Sequence, residues 1–224
     1  FQTHVGLCYY PTKVGCIHKA FMKNEDLIKR TADLCHKNGI AVTGYYSLSF
    51  NTREHDRHKE WRMIMQDGKS MRERKDFFGE KMAFGSAQLS RYGLCCPNNT
   101  EYRNFVYKQI DEIFEYFNFD GLFFDMPFWK HTCYCSKCRD RWRNEIGGEM
   151  PCEPVEDNGL HMKLLKKKYQ WMGEWIQSVT DYVKEKNPHI TVEHNFSQSI
   201  EDNSETACGE EVGMASDFVG GDLY

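Results

Sequence analysis

The sequence predicts a (β/α)8 barrel, of which this chain of 224 residues supplies about strands 2 to 6. Strand-like and helix-like stretches alternate along the chain, which is typical of a parallel sheet with right-handed crossovers. The strands are continuous apolar runs, as expected for strands covered on both faces. Polar side chains gather where the strands end, and in a barrel these ends converge on one open face. No glycine-rich phosphate-binding motif follows a strand, so a doubly wound nucleotide-binding sheet is the weaker alternative.

The first part of the chain carries two predicted strands with a helix between them. Residues 5–10 form a short apolar strand, and residues 40–46 form a β-branched and aromatic one. The helix covers residues 24–38, with Asn24 as its cap and Gly39 as its stop signal. Its predicted inner face consists of Leu27, Ile28, Thr31, Leu34 and Cys35.

Residues 51–98 form a long excursion that is rich in charged residues and contains several glycines. We expect one helix around residues 53–65 and otherwise irregular structure. A connection of this length inside a compact domain is usually functional.

The second part of the chain continues the alternation. Thr100 caps an amphipathic helix over residues 100–117, and residues 122–124 follow as a buried strand. A long helix over residues 160–186 ends at Asn187-Pro188. Its predicted inner face consists of Leu164, Leu165, Tyr169, Met172, Trp175, Ile176, Val179 and Val183. Residues 190–196 are the fourth strand, and residues 217–221 begin a fifth.

Composition excludes several classes of protein. Apolar residues make up 40% of the chain and the net charge is -4, which argues against a protein built to bind nucleic acid. No run approaches the roughly 18 apolar residues of a membrane span. The chain begins at Phe1 and ends directly after a strand, so we expect a piece of a longer protein. Its clustered cysteines favour a reducing compartment and hence a cytoplasmic location.

Three cysteines with short spacing predict a metal site. Cys133, Cys135 and Cys138 offer soft ligands that suit tetrahedral Zn, which needs a fourth. Cys96 is the first choice for that ligand and Cys95 the second. Four cysteine ligands leave no position for water, so the ion would hold the loop at residues 126–155 rather than take part in catalysis. The alternative is a set of unpaired surface thiols.

Asp125 is the predicted catalytic residue. It follows an apolar strand and precedes Met126-Pro127-Phe128-Trp129. A carboxylate beside aromatic rings suits chemistry on a sugar, where it can attack or stabilise an oxocarbenium-like centre. The alternative is an aspartate that only holds its own turn through the backbone.

A glycosidase needs a second carboxyl group to protonate the leaving oxygen. The candidates are Glu193, Glu205, Glu210, Glu211 and Asp222. Asp222 follows two glycines at a strand end, where a backbone can approach a ligand closely. Because strand side chains alternate, Glu193 shares a face with Asn195, and His194 would face the helices. Predicted sugar contacts are His18, Tyr46, Trp61, Trp129 and Asn195.

Several stretches resemble a known family. They are Tyr10-Pro11-Thr12-Lys13-Val14-Gly15, Gly39-Ile40-Ala41-Val42 with Tyr45-Tyr46-Ser47, Cys96-Pro97-Asn98-Asn99 with Tyr102-Arg103, and Asp120-Gly121-Leu122-Phe123-Phe124-Asp125-Met126. They resemble the hypothetical glycosyl hydrolase barrel domain of bacterial alpha-L-fucosidases of glycoside hydrolase family 151. Fucosidases of related barrel type use an Asp at the end of the fourth strand as nucleophile. The resemblance therefore implies this role for Asp125, and we favour Asp222 over Glu193 as the acid/base.

The cysteine motif is similar to that of zinc-containing beta-galactosidases of the large barrel class. In them a single upstream Cys and three clustered ones bind one Zn, which implies Cys96, Cys133, Cys135 and Cys138 here. Those enzymes carry an Asn-Glu pair where this chain has Asp125-Met126. The galactosidase acid/base is therefore not matched.

The sequence thus predicts that residues 1–224 are part of a catalytic barrel domain of a retaining, exo-acting alpha-L-fucosidase with a glycoside substrate. Related families form oligomers, so a homo-oligomer is compatible with the resemblance. Two alternatives stay open. One is a beta-galactosidase-like enzyme, and the other is a zinc-stabilised barrel that binds carbohydrate without catalysis.

Overall fold

The computed structural model describes residues 5–19, 26–73, 92–129, 131–196 and 207–221, and it is a mixed α/β structure. The larger sheet has three parallel strands in the order β3 (Thr43–Ser47), β4 (Gly121–Asp125) and β5 (Thr191–His194). A two-stranded parallel sheet pairs β1 (Leu7–Cys8) with β2 (Cys16–Ile17). The strands are parallel, as the alternation predicts, and within the described ranges they do not close into a barrel.

Helices connect these strands. They are α1 (Leu27–Lys37), α2 (Thr52–Arg57), α3 (Thr100–Tyr116), α4 (Ser136–Glu145), α5 (Asn158–Lys186) and α6 (Glu210–Met214). Two 3₁₀ turns lie at Lys59–Trp61 and Met71–Glu73. Among the described helices, none is long and apolar enough to cross a membrane.

The register of the central sheet fixes which side chains share a face. Tyr45 pairs with Phe123, Ser47 with Asp125, and Phe123 with Glu193. Side chains alternate along a strand, so one face carries Tyr45, Phe123, Asp125, Glu193 and Asn195. The opposite face carries Tyr46, Leu122, Phe124, Val192 and His194, all of which are buried.

The buried face of the sheet packs against the long helices. His194 shares a hydrogen bond with Thr180 of α5 and stacks on Phe124, which confirms that it faces the helices. The predicted apolar faces of α3 and α5 are also confirmed in the main. Their buried residues include Tyr102, Phe105, Val106, Ile110 and Ile113 on α3 and Leu164, Met172, Trp175, Ile176, Val179 and Val183 on α5.

Residues 217–221 run beside β5 at the place of the predicted fifth strand. The Asp217 amide donates to the Val192 carbonyl, and the Phe196 amide donates to the Gly220 carbonyl. These bonds place the segment at the sheet edge, although it does not have regular strand geometry in the part of the chain that is described.

The sequence analysis predicts the wrong set of buried side chains on α1. Leu27 and Leu34 are 47% and 61% exposed, and Ala32 is the buried residue of the helix. Apolar spacing identifies an amphipathic helix, but it does not say which stripe meets the sheet. Gly39 does follow the helix with a φ of +72°, as its stop signal predicts. The predicted cap Asn24 lies outside the described residues.

Three further local predictions need correction. Asn99 rather than Thr100 caps α3, because its Oδ1 accepts from the Tyr102 amide at 3.0 Å. The single helix expected at residues 53–65 is α2 followed by a 3₁₀ turn. The sequence prediction missed β2, and it missed α4 inside the loop at residues 126–155.

Candidate functional site

Asp125 lies at the carboxyl end of β4 and is 6% exposed. Its Oδ2 accepts a hydrogen bond of 2.6 Å from the Tyr45 hydroxyl on β3. Its Oδ1 accepts from Asn195 Nδ2, which follows β5, at 2.5 Å and from the Met126 amide at 2.8 Å. Hydrogen bonds to a carboxylate stabilise its charged form. The side chain thus holds its own turn and is also bound by residues from both neighbouring strands.

The backbone turns sharply directly after this carboxylate. Met126 has a φ of +54°, which is uncommon for a residue with a side chain. Backbone amides of the β3 loop bind the turn, since Leu48 N donates to the Asp125 carbonyl and Ser49 N donates to the Met126 carbonyl. Such strain persists only where the surrounding structure holds it, and it often marks a functional position.

The structure corrects one predicted sugar contact. Tyr46 lies on the helix-facing side of β3 and is completely buried, and its hydroxyl donates to Gln109 Oε1 at 2.6 Å. Tyr45 is the residue that reaches Asp125. Its ring lies beside that of Phe123 with a centroid distance of 5.9 Å. Tyr45 and Phe123 therefore supply the half-buried aromatic surface next to the carboxylate.

Glu193 shares the face of Asp125 and Asn195. Glu193 pairs with Phe123, which lies two residues before Asp125 on β4. It is therefore offset from Asp125 by about 6.6 Å toward the amino ends of the strands. Burial raises the pKa of the Glu193 carboxyl above its ordinary value. Glu210 and Glu211 are exposed on α6. Asp222 and Glu205 lie outside the described residues.

The two predicted tryptophan contacts are buried against other rings. Trp61 is 8% exposed and stacks on His58 at 3.7 Å, and its Nε1 donates to Glu101. Trp129 is 1% exposed and stacks on Trp171 of α5 at 6.0 Å. Both rings therefore serve the core, which corrects the prediction that they face a sugar.

His18 follows β2 and lines a cavity of about 640 Å³. Its ring stacks on Tyr9 at 5.0 Å. The other lining residues are Leu7, Cys16, Ile17, Lys19 and Arg53. Among the described contacts, nothing joins His18 to the hydrogen-bond group around Asp125.

The four predicted cysteine ligands do come together. The sulfur atoms of Cys96, Cys133, Cys135 and Cys138 all lie within 4.8 Å of one another, and all four residues are buried. Cys96 Sγ is 3.5 Å from the sulfurs of both Cys135 and Cys138. Cys95, the second choice for the fourth ligand, points elsewhere, since its thiol contacts the Asn51 carbonyl.

The surroundings shift the pKa values of the clustered thiols in different directions. Hydrogen bonds from Cys133, Cys138 and Cys96 lower the pKa of the Cys135 thiol. Burial raises the pKa of Cys96 and Cys138. Cys135 is also the N-cap of α4, so the helix N-terminus favours a thiolate there.

The donor set fits Zn²⁺. Four sulfurs bound at about 2.3 Å in a tetrahedron lie about 3.8 Å apart, close to the separations found here. Such a site has no open coordination position, so an ion there would stabilise structure rather than activate water. It would join the segment around Cys96 to the segment that follows β4.

Backbone hydrogen bonds connect this cluster to the turn after Asp125. Cys95, next to the first ligand, donates its amide to the Ser49 carbonyl, and Ser49 in turn donates to the Met126 carbonyl. Cys133 lies on the same loop as Asp125. The cysteine cluster and the carboxylate are therefore parts of one connected loop structure.

The sequence analysis missed Tyr45 as a partner of Asp125. The signal was present in the run Tyr45-Tyr46-Ser47, because alternation puts the two tyrosines on opposite faces of the strand. Only the register with β4 decides which of them faces the carboxylate.

Solved structures of glycosidases resemble this fold. An alpha-L-fucosidase isoenzyme 2 from Paenibacillus thiaminolyticus matches with a TM-score of 0.62 and 21% identity, covering 87% of this chain and 26% of that one. The PgaB (BpsB) glycoside hydrolase domain from Bordetella bronchiseptica has a TM-score of 0.69 and 15% identity, with 96% and 58% covered. A beta-galactosidase from Rahnella sp. R3 has a TM-score of 0.65 and 14% identity, with 89% and 31% covered.

These similarities show a shared fold, that of glycosidase barrel domains. The chain spans between 26% and 58% of the length of the three structures. No curated protein matches the chain. The family model described as hypothetical glycosyl hydrolase 6 matches residues 1–126, more than half of the chain and a range that includes Asp125. The chain therefore belongs to the family of hypothetical glycosyl hydrolase 6.

Proposed function

We propose that this chain carries the catalytic carboxylate of a retaining, exo-acting alpha-L-fucosidase, with Asp125 as the nucleophile. One observation carries the proposal. A buried carboxylate at the carboxyl end of the central strand accepts hydrogen bonds from Tyr45 and Asn195, which come from the strands on either side. Carboxyl ends of barrel strands are where glycosidases and other barrel enzymes place their catalytic groups.

Each side chain has a defined task in this mechanism. Asp125 attacks the anomeric carbon, which gives a covalent glycosyl-enzyme. Asn195 and Tyr45 fix the orientation of the carboxylate, and such orientation supplies much of the catalytic advantage. A second carboxylic acid protonates the leaving oxygen and then activates water to hydrolyse the intermediate.

Glu193 and Asp222 are the two candidates for this second group. Glu193 lies on the same face as Asp125, and burial raises the pKa of its carboxyl, which is the direction of shift that a general acid needs. Asp222 follows Gly221, whose backbone lies close to Phe196 just beyond β5. The sequence analysis favours Asp222, and burial supports Glu193, so kinetics must decide between them.

The sugar pocket in this proposal is formed by the face that carries Asp125. The rings of Tyr45 and Phe123 would pack against the sugar, and Asn195 would contribute a polar contact. Fucose is favoured because of the motifs shared with family 151 enzymes, together with the similar fold of the fucosidase from Paenibacillus thiaminolyticus.

The nucleophile is tested by substitution in the full-length protein. Asp125→Ala should abolish hydrolysis of an aryl alpha-L-fucoside while the protein stays folded. Asp125→Gly should regain turnover with azide, which would take the place of the missing carboxylate. Asp120→Asn is the matched control, because Asp120 lies before the same strand and binds the Val42 amide rather than the site. Absence of azide rescue would contradict the role of Asp125.

The acid is tested with two leaving groups. A variant that lacks the acid loses activity on poor leaving groups but keeps it on activated aryl fucosides, which need no protonation. We therefore compare Glu193→Gln with Asp222→Asn on both kinds of substrate. The variant that shows this split identifies the acid. If neither shows it, the acid belongs to another residue.

Two alternatives are decided by the same assays. A preference for an aryl galactoside over the fucoside would make the protein a beta-galactosidase-like enzyme. Binding of a sugar without hydrolysis of any aryl glycoside would make it a carbohydrate-binding barrel.

The cysteine cluster is proposed to hold one structural Zn²⁺ through Cys96, Cys133, Cys135 and Cys138. Mass spectrometry under native conditions should find about one Zn per chain. Disulfides among these four residues would contradict the proposal and would indicate an oxidising compartment.

A further inference from the structure

Asn98 connects the buried cysteine cluster to a partly exposed ion-pair network around Arg141. Its Nδ2 donates to Cys138 Sγ at 3.4 Å, and its Oδ1 accepts from Arg141 Nη1 at 2.9 Å. A guanidinium can only donate hydrogen bonds, so Arg141 must face the oxygen of the amide. This fixes the orientation of the Asn98 side-chain amide, so its NH₂ group faces the sulfur of Cys138.

The neighbouring asparagine has a different task. The side-chain Oδ1 of Asn99 caps α3 by accepting from the Tyr102 amide. The backbone amide of Asn99 donates to the Cys96 carbonyl. Arg103 donates to the Pro97 carbonyl and so holds the same short loop. Asn98 is therefore not needed to begin the helix, and its side chain is available for Cys138.

Contacts outside the cysteine cluster also hold Arg141 in place. Its guanidinium lies 5.0 Å from the centre of the Trp171 ring and pairs with Glu145 at 2.6 Å. It also pairs with Glu174 of α5. The side chain is 23% exposed. The packing of α4 on α5 therefore presents Arg141 to Asn98 in one orientation.

A buried metal with four thiolates needs such donors. Four thiolates around one divalent ion leave a net negative charge, and burying that charge is costly unless hydrogen bonds compensate for it. The N-terminus of α4 supplies part of this compensation at Cys135. Asn98 adds a donor to Cys138 from a different segment of the chain. Groups that bind metal ligands in this way raise the affinity of the site.

We propose that Asn98, oriented by Arg141, is a positioning residue that stabilises the Cys138 thiolate and slows the loss of metal from the cluster. The inference rests on the proposed metal site, and it does not depend on which sugar the enzyme cleaves. Its test therefore follows the metal rather than glycoside hydrolysis.

The experiment uses the full chain loaded with Co²⁺, whose thiolate charge-transfer absorption reports both binding and release. Transfer of Co²⁺ to a chelator is timed for the wild type and for four variants. Asn98→Ala removes the donor. Asn98→Asp keeps an acceptor for Arg141 but turns an oxygen toward sulfur. Arg141→Met removes the group that orients Asn98, and Asn99→Ala is the matched control.

Release should be about 10–100-fold faster in both Asn98 variants and moderately faster in Arg141→Met. Asn99→Ala should lower stability, because it loses the cap, but release metal at the wild-type rate. Wild-type release rates in both Asn98 variants would overturn the proposal, as would a wild-type chain that binds no Co²⁺. A protein that binds Co²⁺ as expected but hydrolyses no glycoside would refute only the proposed activity.

Discussion

Asn195 donates a hydrogen bond of 2.5 Å to Oδ1 of Asp125, although the two residues lie 70 positions apart in the chain. Tyr45, which lies 80 positions before Asp125 in the chain, donates a hydrogen bond to the other carboxylate oxygen. Both bonds depend on the parallel register of β3, β4 and β5, which brings these side chains to one face of the sheet, with Asn195 level with Asp125 and Tyr45 two residues earlier, level with Phe123. The geometry of the carboxylate is therefore a property of the sheet and not of the local turn alone.

Removing either donor should lower activity while leaving the fold intact. Asn195→Ala or Tyr45→Phe should each reduce kcat/KM on an aryl fucoside by about 10–100-fold, since a hydrogen bond to a charged group contributes about 1.5–3 kcal/mol. Both variants leave the carboxylate in place, so some activity should remain. Steady-state kinetics on folded protein measure the effect.

Tyr46→Phe is the control for this pair. This variant removes the Tyr46 hydroxyl, which lies on the opposite face of β3 from Tyr45 and donates a hydrogen bond to Gln109. It should lower the free energy of unfolding but leave kcat/KM of the folded enzyme unchanged. If Tyr46→Phe lowers kcat/KM as much as Tyr45→Phe does, the two faces of the strand have been assigned wrongly.

Patterns that depend on one segment of the sequence were predictable. The apolar faces of α3 and α5 follow from helical spacing, and the cysteines at positions 133, 135 and 138 follow from their own separation. Asp125 could be singled out because it ends an apolar strand. Each of these signals is carried by residues close together in the chain.

Relations between segments were harder to predict. Tyr45 and Tyr46 differ in role only through register, which the sequence of one strand does not contain. Trp61 and Trp129 are aromatic residues near the predicted site, and only the packing shows that His58 and Trp171 cover them. The bridge from Arg141 through Asn98 to Cys138 likewise depends on where α4 lies against α5.

Acid should destabilise the protein through His194. Burial lowers the pKa of His194 from 6.5 to about 3 in the folded state. Thr180 Oγ1 donates to the Ala215 carbonyl, so it accepts from His194 Nε2–H, and the folded protein holds a neutral ring. Below about pH 6.5 the unfolded chain binds a proton that the folded chain does not, so stability falls as the pH drops toward 3.

This dependence is measured by urea unfolding between pH 7 and pH 4. His194→Gln should be less stable than the wild type at pH 7, but its stability should change less with pH. His189→Gln, which alters an exposed histidine, is the matched control. His131 acts in the same direction, since burial lowers its pKa to about 4, so part of the slope should remain in His194→Gln. An unchanged slope in that variant would contradict a neutral buried His194.

Glu112 should be important for the loop at residues 12–15. Its carboxylate accepts hydrogen bonds of 2.5 Å from both the Thr12 hydroxyl and the Lys13 amide, and it is 6% exposed. Glu112→Ala leaves these donors without their acceptor, which should cost about 1–3 kcal/mol of unfolding free energy. Urea unfolding gives the value.

Glu115→Ala is the matched control for Glu112. Glu115 lies on the same helix, is largely exposed and makes a 3.4 Å ion pair with Lys13. Exposed pairs contribute about 0–1 kcal/mol, so this variant should unfold close to the wild type. Equal losses in the two variants would mean that the loop is not held by the buried carboxylate.

Loss of one cysteine ligand should affect both the metal and the loop that follows Asp125. Cys133→Ser replaces a soft ligand with a poor one in a completely buried position, so the Zn content should fall from about one per chain toward zero. Without the ion, the loop from Met126 to Cys138 loses its link to Cys96, and the melting temperature should drop by roughly 10 °C.

Cys152→Ser is the control for this substitution, because Cys152 is exposed and does not belong to the cluster. It should keep the wild-type Zn content and melting temperature. Activity gives a second measurement, because Ser49 joins the Cys95 amide to the Met126 carbonyl beside the carboxylate. Cys133→Ser should therefore lower kcat even at temperatures where it remains folded. A Cys133→Ser variant that loses its Zn but keeps both its melting temperature and its kcat would show that the metal does not support this loop.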